Sequence, residues 1–152
     1  MKLLIIVLFM IASTAGAQIL TKRDIAPLAL TFVSGMFDGT AEAIKFHYAK
    51  FDKYGLDTSN NWWNPAESWK NKYKDRDPEQ GPAYFGSTTF LVWTTDAYHC
   101  FRMGRNVTMS AAIVVKIGDI GKKKWWYYPI QAVIYWLTYT IGFTFSYDWI
   151  FG

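Results

Sequence analysis

One cysteine, Cys100, is the whole thiol content of this sequence, so it forms no intrachain disulfide and no cysteine-rich zinc site. Histidine is almost as scarce, with His47 and His99 alone. Neither has a Gly-x-Ser-x-Gly partner, so a nucleophilic triad is unsupported. Gly35 and Gly39 lack the surroundings of a phosphate-binding loop, and no Gly-x-x-x-x-Gly-Lys-Ser/Thr occurs. No cofactor is expected. Charge is thin as well, at 18% of residues against 51% hydrophobic. The surplus of +4 does not gather in one stripe, so no nucleic-acid partner is expected. Basic residues punctuate apolar segments instead, as the positive-inside rule requires, and attraction to anionic lipid accounts for the excess.

What is abundant is aromatic: eight Trp, ten Tyr and eleven Phe in 152 residues. A soluble domain of one domain's length has too little core to hide so many rings, whereas two membrane interfaces give amphipathic rings one dry end and one wet end. The mean hydropathy of +0.01 averages strongly apolar segments with one long polar loop. The expected fold class is therefore all-α: a small helical transmembrane bundle with a polar, Trp-rich loop.

Residues 1–17 carry Lys2, an apolar run from Leu3 to Ala12, and small residues ending Ala15-Gly16-Ala17. That pattern predicts a signal peptide with the mature chain starting at Gln18; the competing reading is an uncleaved first span reaching Leu20. Residues 18–152 then form one helical membrane domain with apolar segments 25–51, 84–105, 107–120 and 125–147 and a loop over 51–83. Asp24 suits an N-cap and Pro27 a first turn for the segment 25–51. Asp38 and Glu42 lie one turn apart on one face of it, with His47 well round from them. Segment 125–147 is the clearest span: it is free of charge, opened by Trp125 and Trp126 and closed by Tyr147 and Trp149. Segment 107–120 is shorter and holds Lys116. The loop mixes five Lys/Arg with six Asp/Glu, and Trp62, Trp63 and Trp69 are expected to hold it against headgroups.

The stretch Tyr84 to Arg105 reads as a membrane helix that carries Asp96 and His99 on one face, three residues apart. A carboxylate at that depth needs a partner. One reading is a structural polar network of Asp38, Glu42, Asp96, His99 and Lys116, with Glu42 paired to Lys116 and Asp38 or Asp96 protonated or bonded by Thr94, Thr95 and Tyr98. A sharper reading is a metal site made of Asp38, Glu42, Asp96 and His99, two ligands from each of two helices, serving a membrane-embedded metal-dependent enzyme. A third is a lipid- or protein-binding module whose working part is the Trp-rich loop.

Four motifs, Trp63-Asn64-Pro65, Ser68-Trp69-Lys70-Asn71-Lys72-Tyr73-Lys74, Gly86-Ser87-Thr88-Thr89 and Thr95-Asp96-Ala97-Tyr98-His99, resemble a family of small, uncharacterised helical membrane proteins from bacterial and phage genomes. The resemblance covers roughly residues 38–105 and implies membrane residence without an assigned activity. Charge counting then predicts four spans with both ends outside, nine basic residues on one side facing four on the other. The expected partner is the lipid bilayer, followed by another membrane protein or a second copy. The expected location is multi-pass in a membrane, the inner membrane if the source is bacterial.

Overall fold

The computed structural model describes residues 20–51, 53, 61–118 and 125–152. The signal-like segment 1–17 lies outside the described residues, and so does most of 52–60. Among the described residues the chain is all-α, with one isolated bridge between Tyr73 and Pro82 and no strands.

Three long helices carry the fold: α1 over Ile25–Phe46, α2 over Ala97–Ile117 and α3 over Tyr127–Thr144. Helix α1 is central. It runs along both α2 and α3, which meet each other far less. Asp24 faces Lys116 and Glu42 faces Arg102, so α2 is antiparallel to α1. Asp24 faces Gln131 and Thr40 faces Ser146, so α3 is parallel to it.

Local chemistry explains most of the boundaries. The first turn of α1 has Pro27, whose missing N–H is an orphan there in any case. The helix ends at Phe46 because His47 turns to φ −129°, ψ 33°, and only a short turn, Tyr48–Phe51, follows. The expected single helix over 25–51 is thus broken near its end. Helix α3 matches the core of segment 125–147 and continues as a π-helical turn, Phe145–Ile150.

The largest correction concerns segments 84–105 and 107–120. They are not two spans. Residues 83–95 are turns and 3-10 pieces, Asp96 is the N-cap, and one helix runs unbroken from Ala97 through Asn106 to Ile117. Asp96 has extended φ/ψ and its carboxylate accepts from the backbone N–H of His99, so it starts the helix in place of sitting within it.

Among the described residues no helix is long and apolar enough to cross a membrane. Arg102, Arg105 and Lys116 interrupt α2, and Asp38, Glu42 and Lys45 interrupt α1. Helix α3 has no charge, but Gln131 and its tyrosines and threonines dilute it.

The α1–α3 crossing is close. A Cβ on Gly35 would fall onto the backbone carbonyl of Tyr139, one on Gly39 would stand 2.5 Å from the carbonyl of Phe143, and one on Gly142 would meet the carbonyl of Phe32. Thr31, Ser34, Thr40 and Ser146 are buried beside them. Small and polar residues hold the interior, while Val33, Val107, Val114, Val133, Trp136 and Ile141 face outward. The apolar core proper lies at one end, where Ile44, Phe51 and Ala97 meet Trp62, Trp63, Phe101 and Phe151.

Candidate functional site

The polar groups gather along α1 at three levels. At its N-terminal end Asp24 is buried and takes four donors. Lys116 from α2 pairs with its Oδ1, and Gln131 Nε2 from α3 donates to the same atom at 3.1 Å. The Thr21 backbone N–H and hydroxyl donate to Oδ2 at 2.7 and 2.9 Å. Gln131 also donates to the Tyr127 hydroxyl at 2.8 Å. Burial by itself pushes the Asp24 carboxyl up, but the hydrogen bonds from Lys116 and from Thr21 hold it below its ordinary value of 3.8.

Midway along the bundle Asp38 accepts from Arg105 at 3.0 Å and from the Tyr139 hydroxyl at 2.6 Å. Arg102 lies between Asp38 and Glu42, at 3.5 and 3.4 Å. Two carboxylates and two guanidiniums therefore balance in charge. Arg105 also donates from Nε and Nη2 to the side-chain oxygen of Asn106, and its backbone carbonyl accepts from Ser34. Beside this cluster, between α2 and α3, lies a cleft of about 440 Å³ lined by Thr31, Arg105, Asn106, Met109, Trp136 and Tyr139 among others.

At the third level Asp96 is 1% exposed. Its carboxylate accepts from the His99 N–H, from the Thr95 hydroxyl at 3.1 Å and from His99 Nδ1 at 2.7 Å. Across the same end His47 Nε2 pairs with the Tyr147 hydroxyl at 2.5 Å. Asp96 serves the N-terminus of α2 first, and in doing so fixes the His99 ring through one nitrogen.

The five residues expected to share one network are thus divided among three levels. Lys116 pairs with Asp24, not with Glu42, and Glu42 pairs with Arg102. Asp38 meets Arg105 and Tyr139 and does not meet Asp96. The physical reason is the register of a single antiparallel α2, which sets residue 116 opposite 24 and residue 102 opposite 42. The metal reading of Asp38, Glu42, Asp96 and His99 fares the same way: among the described residues no three His, Cys, Asp or Glu side chains converge to hold a metal ion. The oxygens that would ligate are engaged by arginines, a helix N–H, the His99 ring and the hydroxyls of Tyr139 and Thr95.

The tryptophans divide too. Trp62 and Trp63 are half-buried against the apolar core: the Trp62 carbonyl accepts from the Ala97 N–H at 3.0 Å, and the Trp63 ring stands 5.5 Å from that of Phe51. Trp69 is more exposed, donates to the Ala66 carbonyl and meets Tyr73 edge-on. Trp126 packs edge-on to Tyr127. Trp125 and Trp149 are 80% and 62% exposed.

Sequence reasoning missed Asp24, Arg102, Arg105, Tyr139 and Gln131 as interior partners. It also missed Gly35-x-x-x-Gly39, whose spacing is the usual signal for two helix backbones in close approach. No family model matches the chain, and neither a curated protein nor a solved structure matches it.

Proposed function

We propose that this chain is an integral membrane protein whose role is interaction: a bundle braced from within by ion pairs, which presents its outer surface to lipid and to a partner membrane protein. One observation carries the reading. From Trp125 to Tyr147 there is no charged residue, and the rings at the two ends, Trp125 and Trp149, face outward. The 18 residues of α3 cover roughly 27 Å at 1.5 Å per residue, and the turn before it and the π-helical turn after it carry the chain on to Trp125 and Trp149. That run is comparable to a hydrocarbon core of about 30 Å, which suits the two rings to the interfaces where tryptophan is favoured.

The polarity of the bundle supports the same reading. Gly35, Gly39, Gly142, Ser34 and Thr40 lie between helices while Val107, Val114, Val133, Trp136 and Ile141 lie outside, as expected where lipid removes the drive to bury large apolar groups. Taken singly, no described helix suffices as a span. Assembled, α2 directs Arg102, Arg105 and Lys116 onto carboxylates of α1 and its N-cap, which lowers the cost of holding charge at depth. The motifs around Trp63-Asn64-Pro65 and Thr95-Asp96-Ala97-Tyr98-His99 add their resemblance to small bacterial and phage membrane proteins.

Fractionation of cells expressing the full chain tests this. The protein is expected in the membrane pellet after alkaline carbonate extraction and to need detergent for release. Recovery as a monodisperse species without detergent would overturn the proposal.

A further inference from the structure

Phe85 and Phe90 are the most exposed phenylalanines among the described residues, at 86% and 62%. Their exposure is constructed. The rings stand 5.7 Å apart at 72°, edge to face. Gly86 between them has φ +83°, and its carbonyl accepts from the N–H groups of Thr89 and Leu91. A Cβ at Gly86 would come within 2.8 Å of the Phe90 ring, and the positive φ calls for glycine there. Ser87 is fully buried, and its hydroxyl donates to the carbonyl of Lys72 at 2.7 Å. The Tyr84 hydroxyl is tied to that of Thr94.

A turn this well bonded does not display two rings by accident of disorder. Burying each of them elsewhere would gain about 1.5 to 3 kcal/mol, so what covers the rings matters to their presence. The two rings are exposed beside Thr88 and Thr89. The turn stands at the end of the bundle that also carries Trp149, since Asn71 ties the loop to the Thr95 carbonyl while Phe151 packs on Phe51 there. Lys72 joins the turn through its carbonyl, and its ammonium stands 5.3 Å over the Tyr73 ring. The acidic residues Asp75, Asp77 and Glu79 lie at the opposite end of the small ribbon that the Tyr73–Pro82 bridge closes.

We propose that the Tyr84–Phe90 turn is a bilayer-docking tip: Phe85 and Phe90 enter the interfacial zone of a phospholipid membrane, and Lys72 reaches its phosphates. The proposal rests on the membrane reading above and assigns the loop's lipid contact to this turn instead of to Trp62 and Trp63. Rings at an interface with a cation beside them combine apolar transfer with attraction to headgroup charge.

The test is an environment-sensitive nitrobenzoxadiazole label at Phe85→Cys in a Cys100→Ser full-length chain, reconstituted in phosphatidylcholine vesicles with and without phosphatidylglycerol. A second label at Glu79→Cys reports the far end of the ribbon. Blue-shifted emission at position 85, quenched several-fold by lipids spin-labelled near the headgroup, is expected, with water-like emission at position 79. A water-like label at 85 in protein that floats with the vesicles overturns this proposal alone. So does a blue shift that spin-labelled lipid leaves unquenched, because that means a protein covers the tip. Protein that does not float with the vesicles overturns the membrane reading itself and this proposal with it.

Discussion

Lys116, near the last turn of α2, reaches the carboxylate of Asp24, 92 residues earlier, at the mouth of α1. Asp24 is buried while Lys116 keeps partial contact with solvent. The pair closes the end of the bundle, and Gln131 brings α3 into the same bond set.

The first prediction follows from the titration of Asp24. Its carboxyl is held below 3.8 in the folded chain, so the folded state favours the charged form. Its contribution is present above the unfolded value, about 3.9, and is lost as pH falls through the lower folded value. Asp24→Asn is expected to lower stability by roughly 2 to 3 kcal/mol near pH 7, somewhat under the loss for a fully buried pair because Lys116 is partly wet. Thermal melts in detergent from pH 7 to pH 3 check it. The gap between wild type and variant should shrink only below about pH 4, and a gap that stays constant to pH 3 would refute the linkage.

The second concerns the α1–α3 crossing. Gly35→Ala places a methyl against backbone atoms of Tyr139 and Phe143, and backbone cannot step aside as a flexible side chain can. A loss of about 1 to 3 kcal/mol is expected, the range for overpacking. Gly118→Ala is the control, because the added Cβ would lie 3.5 Å from its nearest neighbour, an ordinary contact. Equal melting temperatures for the two variants would mean that the helices do not cross at Gly35.

A third prediction separates capping from a buried-charge role at Asp96. As the N-cap, Asp96→Asn should retain most stability, because an amide oxygen still accepts from the His99 N–H. Asp96→Ala should cost roughly 1 to 2 kcal/mol, the upper part of the range for N-cap removal. Chemical denaturation of both variants decides it, and an Asn variant as unstable as the Ala variant would show that the carboxylate charge of Asp96, not the cap, sets the energy.

The helical class was legible in the sequence, and so was α3, because a charge-free run bounded by tryptophans needs no tertiary information. The start of α2 was harder to see. Thr94-Thr95-Asp96 is a capping signal in its own right, but it lies within an apolar run from Tyr84, and apolarity alone cannot distinguish packed turns from a helix. That single boundary displaces the register of α2 on α1. With spans over 84–105 and 107–120 in place of one helix over Ala97–Ile117, Lys116 falls opposite Glu42 and Asp96 opposite Asp38. Arg102 and Arg105 count as outside charges at the end of segment 84–105 for the same reason, although they stand within α2 and balance Asp38 and Glu42. As a phosphate loop the spacing of Gly35 and Gly39, without Lys-Ser/Thr, says little. As a backbone contact their spacing is informative, but its partner on α3 lies roughly 100 residues away, and nothing local announces it.

That distance has a consequence for how the chain is made. Asp24 and Gln131 are 107 residues apart, and synthesis at 5 to 20 residues per second takes about 5 to 20 s to cover such an interval. Helix α2 is complete only at Ile117, so α1 waits alone for most of it and has roughly 1 to 3 s at the end to settle against α2, whose register needs no later sequence. Its glycine face has no mate until the final helix emerges. A ribosome paused before Tyr127 therefore leaves a half-assembled pair with an open groove cut for a helix backbone, and any other small-faced helix at hand competes for it.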